Sequence, residues 1–434
     1  MITFRNFTQS FFQSLYFRRS VVLIAGTAVS QIIALLFQLI LRRLFLPEVF
    51  GAFALYLSTF TILATLTSLK YETAIVIPKT KKEAVHLFYL SFLLNFLFAA
   101  LLFVVFLLFR YEFSHLIGLN DQYSHWFLVL PLSLLFFGFY KVINFMLIRE
   151  KRFRYASLNK VIRRSFEGAG QTTAGVLGFS SGLVWGHLLG SFSNNISGLL
   201  QLRKMSCFAQ PFEFSTLKGV MRRFGNFPKY QAFPHMLNTF SFTLPVIIVN
   251  ILYNQEITGF FDLTRQALAL PLALVSTSLS QVVLQDISER RNHEQPIWQQ
   301  VSQTFKMLLI ISLPGILIVL FWGQNLFAFF FGSEWVLSGK MAQILIFSYA
   351  IRFVITPLSP VLTALERLKI LALWRITYFL AILSLFLFTH IDIFLFFKIY
   401  MGIEVGFYTL YFIMIWSVCL NYDRKLGNSK TMRE

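Results

Sequence analysis

Residues 48–55 read EVFGAFAL and residues 256–263 read EITGFFDL, so the pattern E-x-x-G-x-F-x-L is written twice, 208 residues apart. Around the two copies, stretches apolar enough to cross ~30 Å of hydrocarbon as about 20 helical residues number twelve. They lie near residues 21–46, 49–69, 84–109, 125–148, 157–178, 181–202, 231–253, 258–285, 303–331, 338–364, 369–389 and 394–418. Each copy of the pattern therefore opens the second span of a six-span half. Six is even, so both halves enter from the same side. The repeat is then parallel, with a pseudo-twofold axis along the membrane normal. The expected fold is an all-α integral membrane protein of twelve transmembrane helices in two lobes. Residues 1–19 form an interfacial segment, 20–202 the first lobe, 203–230 a linker, 231–418 the second lobe and 419–434 a tail. Within the pattern, Glu suits the positive end of a helix and Gly lets a neighbouring helix approach; direct contact with a transported molecule is the alternative.

Composition agrees with a bilayer. The 434 residues are 56% hydrophobic and only 13% charged, with a mean hydropathy of +0.67, more apolar surface than a soluble fold hides. A net charge of +19 would point to nucleic acid in a soluble protein. Here the Lys and Arg sit in short runs between spans: 30 fall in one set of alternating connections and 4 in the other, with four more inside spans. The positive-inside rule then puts both termini in the cytoplasm and excludes nucleic acid as the reason for the charge. Two cysteines, Cys207 and Cys419, are too few for a disulfide framework. In the first segment Phe4, Phe7, Phe11 and Leu15 recur at helical spacing with no small-residue cleavage site after them, as an interfacial helix does and a signal peptide does not.

Polar residues inside the spans are the functional candidates. In the first span Thr27, Gln31, Gln38 and Arg42 fall within about 60° at 100° per residue. Span five places Lys160, Arg163, Glu167 and Gln171 on one face with Arg164 alongside, and span seven does the same more weakly with His235, Asn238 and Ser241. Span ten carries Tyr349, Arg352 and Thr356, with Pro357 and Pro360 able to break the helix there. Glu404, Tyr408 and Tyr411 share a face of span twelve. Arg42 and Lys141 are near enough to span ends to snorkel, and Asp262 and Arg265 have i, i+3 spacing for a local pair. Arg352 and Glu404 are both at mid-depth, where an ionisable residue faces protein or water and is a functional candidate by default. The alternative is an ion pair that joins spans ten and twelve. The histidines His86, His187 and His235 lack metal-ligand spacing, and Gly182, Gly186 and Gly190 form GxxxGxxxG, a close-packing pattern.

Several stretches together resemble the polysaccharide flippase family, the O-antigen, capsule and exopolysaccharide branch of the superfamily that holds the MATE drug exporters and the lipid II flippases. They are SVVLIAGTAVSQIIALLFQLILRRLFLPEVFGAFALYLS, SLKYETAIVIPKTKKEA, FGNFPKYQAFPHMLN, LALPLALVSTSLSQV, FGSEWVLSGKMAQIL and VITPLSPVLTALER, in register with the twelve spans over nearly the whole chain. The resemblance implies a MATE-like bundle of two lobes carrying an undecaprenyl-diphosphate-linked oligosaccharide from the inner to the outer leaflet. Membrane lipids surround it, and a polysaccharide polymerase and chain-length regulator are the implied partners. Such a cargo needs a polar, cationic cavity between the lobes, because even one charge at the bilayer centre costs several kcal/mol. Substrate contacts are then expected from Arg42, Lys141, Arg163, Arg265, Arg352, Gln31 and Gln38. The three intramembrane acids Glu167, Asp262 and Glu404 are candidates to couple H+ or Na+. Membrane potential is the alternative source, worth about 4–5 kcal/mol per 100 mV for two charges. No GxxxxGK[ST] phosphate loop is present and no cofactor is expected. A drug exporter with cationic cargo fits the net positive set less well. A membrane enzyme such as a polymerase would rest on His115 and Asp121 of the longest outer loop.

Overall fold

A computed structural model of the protein describes residues 15–203 and 213–431, with side chains from Ala25 onward except Ala273, Leu274, Thr277, Ser278 and those from Asn428. The expected interfacial residues Phe4, Phe7 and Phe11, and Cys207 in the linker, lie outside the described residues. Among these residues the regular structure is all helical. Thirteen helices organise it: α1 Leu15–Leu44, α2 Pro47–Leu63, α3 Lys81–Leu116, α4 Trp126–Arg149, α5 Phe153–Val176, α6 Gly182–Arg203, α7 Phe214–Arg223, α8 Phe233–Leu252, α9 Gln255–Asn292, α10 Trp298–Phe331, α11 Val336–Ile355, α12 Leu368–Leu383 and α13 Ile393–Thr431. With α7 set aside as the linker helix, twelve remain, in register with the twelve expected spans. Eight of them, α1, α3, α4, α8 and α10 to α13, are long and apolar enough to cross a membrane by composition alone. The other four are short (α2) or carry the polar residues singled out above (α5, α6 and α9).

Local chemistry sets the helix ends. Pro47 opens α2 with Glu48 in its first turn, and Asn254 caps α9 by accepting from the Ile257 N–H at 2.9 Å, with Glu256 in the first turn. Thr80 accepts from the Glu83 N–H to start α3. After α11 the chain passes through the turn Thr356–Leu358 into Pro360–Ala364, the break expected at the two prolines. The described residues pack as two compact units that divide between Thr243 and Leu244, inside α8. In the first unit Ile75, Leu87, Val142, Met146 and Leu217 share one core, so α7 packs with α3 and α4. Of the repeated pattern, Phe53 and Leu55 are buried in the first unit, and Phe261 and Leu263 in the second.

Candidate functional site

Close approach of small residues brings the polar faces together in the first unit. A Cβ on Gly168 would stand 2.1 Å from the Phe37 ring, and one on Gly175 2.7 Å from Phe45, so α1 and α5 lie side by side. The stripe on α1 thereby meets the basic face of α5: Lys160 Nζ donates to Thr27 Oγ1 at 2.8 Å. Farther along, Arg42 Nε donates to Gln38 Oε1 at 3.2 Å, and its guanidinium lies 3.6 Å from the Phe50 ring centroid. At 1% exposure Arg42 is folded into the protein and does not extend to an interface. Gln31 and Gln38 are partly exposed.

The GxxxGxxxG face of α6 lies directly on α5. A Cβ on Gly182 would meet Ala174, on Gly186 Gln171 and on Gly190 Glu167, each within 2.6 Å. That contact buries Glu167 between two donors. Arg164 binds Oε2 at 3.0 Å, and His187 Nδ1 sits 2.9 Å from Oε1. Arg164, at i−3, is therefore the cation paired with Glu167. The His187 ring is enclosed by Phe53, Tyr56 and Phe60, with centroids 6.4, 6.3 and 5.0 Å away and all edge to face. Arg163 turns instead onto the rings of Phe137 and Tyr140, at 5.2 and 5.9 Å.

Lys141 is committed inside the same unit. Its ammonium stands 2.9 Å from Glu72 Oε1 and donates to the Ala64 carbonyl at 3.1 Å, while Ser68 donates to Glu72 Oε2 at 2.5 Å. The long side chain snorkels to a carboxylate on the Tyr71–Ala74 turn, not to headgroups. No pattern within span four carried that partner, because Glu72 lies about 70 residues earlier in a connection.

In the second unit the break after α11 leaves Arg352 near the end of a helix and facing α13. Arg352 Nη1 lies 3.5 Å from Glu404 Oε2, with side chains 14% and 1% exposed. Tyr378 donates to Glu404 Oε1, and the guanidinium is flanked by Tyr349 and Tyr408 at 5.2 and 5.7 Å. Trp374 stacks on Tyr378 and Tyr411, at 5.2 and 4.3 Å. The ion pair joining spans ten and twelve is thus formed. Tyr378 and Trp374 escaped the sequence reading, since aromatics in an apolar run look the same whether they pack or donate. Arg265 lies 5.7 Å from the Phe261 ring, which itself packs on Phe397 and Tyr400. Gln266 donates to Asp262 at 2.8 Å. In each unit, then, the Phe of the repeated pattern lies against the polar cluster: Phe53 on His187, Phe261 under Arg265. Among the described residues neither Arg163 nor Arg265 forms an ion pair, and no group of three His, Cys, Asp or Glu is placed to hold a metal. His115, in the last turn of α3, and Asp121, in the connection to α4, form an exposed pair at 3.4 Å.

The fold is shared with solved transporters. A multidrug resistance MATE family transporter of the MOP superfamily, in its inward-facing conformation, is 14% identical with a TM-score of 0.71, over 94% of this chain and 99% of that one. The lipid II flippase MurJ in an inward closed conformation is 15% identical with a TM-score of 0.69, over 95% of this chain and 93% of that one. The eukaryotic MATE transporter AtDTX14 is 16% identical with a TM-score of 0.60, over 94% and 99%. No curated protein sequence matches. These neighbours are transporters and flippases, not enzymes. A family profile described as Polysaccharide biosynthesis protein matches residues 40–340, so this multi-pass membrane chain belongs to the polysaccharide biosynthesis protein family.

Proposed function

We propose that the protein flips undecaprenyl-diphosphate-linked oligosaccharide repeat units from the inner to the outer leaflet of a bacterial cytoplasmic membrane by alternating access, for surface polysaccharide assembly. Both termini are cytoplasmic, and the lobes are residues 20–202 and 231–418, joined by 203–230. The observation that carries this reading is the match to a polysaccharide biosynthesis family on a fold shared with a lipid II flippase. Arg163 and Arg265 meet the diphosphate: both are partly exposed and lie on aromatic faces. A guanidinium with no direct ion pair can bind a phosphate bidentately. Arg42, Gln31 and Gln38 form the polar track in the first lobe, and Arg352 belongs to the second with its charge shared by Glu404. Lys141 holds Glu72 and serves the scaffold. Glu167, Asp262 and Glu404 are the acids that H+ or Na+ would bias. A polymerase and chain-length regulator act on the product.

The test is the fate of surface polysaccharide in cells lacking the chain. Undecaprenyl-linked repeat units trapped in the inner leaflet, with surface polymer missing, support the reading and identify the glycan. A second reading, export of cationic compounds, draws on the TM-score of 0.71 to a multidrug transporter. Normal polymer with heightened sensitivity to cationic dyes would select it.

A further inference from the structure

The linker helix α7 has two unlike faces. At 100° per residue Leu217, Val220 and the following Phe224 lie on one side, and all three are buried against the first unit. Phe214, Lys218, Met221 and Arg222 fall within about 100° on the other side, and all four are exposed, Phe214 by 72%. The first side is clamped. Lys82 binds Glu213 at 2.7 Å, Glu83 binds Arg223 at 2.5 Å, the Glu213 N–H donates to His86 Nε2 at 3.0 Å, and Tyr71 donates to the Met221 carbonyl at 3.1 Å. By contrast, neither Lys218 nor Arg222 forms an ion pair among the described residues. Just beyond, Lys229, Tyr230 and Phe233 extend the same composition, with Tyr230 63% exposed and the Lys229 ammonium 5.2 Å from its ring.

The depth of this face follows from its partner. The clamp engages Lys82, Glu83 and His86 in the opening turns of α3, whereas the exposed apolar run of that helix begins at Leu93, Phe96 and Leu97. The apolar side of α7 also shares a core with Leu87, Phe88 and Leu90, three to six residues short of Leu93, so at 1.5 Å per residue the helix lies about 5–10 Å beyond those side chains, level with a headgroup layer. Aromatic and Met side chains interleaved with cations, held at that level and exposed among the described residues, match anionic headgroups over an acyl boundary.

We propose that α7 docks on anionic lipid of the leaflet that faces it, with Lys218 and Arg222 on the headgroup phosphates and Phe214 and Met221 in the acyl boundary. The linker between the lobes is thereby tied both to the first unit and to the membrane surface. The inference rests on the cytoplasmic orientation proposed above, but its readout is independent of cargo.

The test uses the full chain in nanodiscs, with a fluorophore on Met221→Cys in a Cys207→Ser background; Cys419 is buried. Quenching by brominated phosphatidylglycerol is compared with quenching by brominated phosphatidylcholine at equal mole fraction. Stronger quenching by phosphatidylglycerol, weakened by salt, is expected. The pair Lys218→Gln/Arg222→Gln should cut that preference by up to about 30-fold, from about 1 kcal/mol per basic residue. Both substitutions are at exposed positions, so a variant with unchanged thermal stability keeps the comparison clean. Equal quenching by the two lipids, a preference that survives the double substitution, or no quenching by either lipid overturns the proposal. Failure of the polysaccharide phenotype in deletion cells would leave these quenching results unaffected and would count against the cargo alone.

Discussion

Lys141, able in sequence to snorkel, pairs with Glu72, and Arg352 forms the ion pair with Glu404 that the sequence offered as its alternative. Glu72, fully buried, relies on Lys141 for neutralisation. Removing the ammonium leaves a buried carboxylate, which costs about 3–5 kcal/mol. Lys141→Met should therefore lower the unfolding temperature in detergent sharply, and adding Glu72→Gln should restore most of it. A Lys141→Met variant as stable as the unaltered chain would show that the pair is not a fold determinant. Arg352 poses the sharper question, because its partner Glu404 is also buried. Arg352→Ala alone should reduce both abundance and flipping. Arg352→Ala with Glu404→Gln should recover abundance while flipping stays lost, read by trapped lipid-linked repeat units. Recovery of both would assign Arg352 to scaffold only.

Helices divide by how much of their placement their own residues announce. The glycine ladder of α6 is legible in sequence, since Gly at i, i+4 and i+8 has one face and one use, and α5 is where that face goes. The break at Pro357 and Pro360 is legible because two prolines three residues apart remove two donors from one stretch, whereas the single prolines Pro131, Pro245, Pro271 and Pro314 leave their helices continuous. The docking of α7 is not, as it depends on charges more than a hundred residues away in α3. That docking carries a pH prediction. Hydrogen bonds from Lys82 and Thr216 hold the Glu213 carboxyl below its ordinary range. A lowered pKa means that the clamp contributes fully above the usual carboxylate value of about 4.3 and is lost as pH falls through the lower folded value. Amide exchange over residues 213–223 should rise on that acid side, after correction for intrinsic rate, and Glu213→Gln should show the faster exchange already at neutral pH. Exchange independent of pH across that window would mean that the apolar face alone holds α7.

Topology is the property of the whole chain that charge decides. In the orientation proposed above, with the basic connections inside, Asp121 in the connection between α3 and α4 would face outward and Lys218 on α7 would face the cytoplasm. In intact cells Asp121→Cys should react with an impermeant maleimide, whereas Lys218→Cys should react only after permeabilisation. The opposite labelling would invert the proposed orientation and with it the direction of transport. The twelve helices among the described residues, and their order, are visible in hydropathy, although four of them fall short of a membrane span by composition or length.

Hydrophobic periodicity, charge asymmetry and the doubled E-x-x-G-x-F-x-L are local or statistical features, and they suffice for the helical class, the number of long helices and the position of each repeat. Partners are not local. Whether Arg352 holds Glu404, whether His187 rather than Arg163 reaches Glu167, and whether Lys141 ends on Glu72 depend on which helices lie side by side. That is decided by packing between residues tens of positions apart. An isolated charge in a span must find a neutraliser or water, since the bilayer offers neither. The need is written in the sequence, and only the tertiary structure names the residue that answers it.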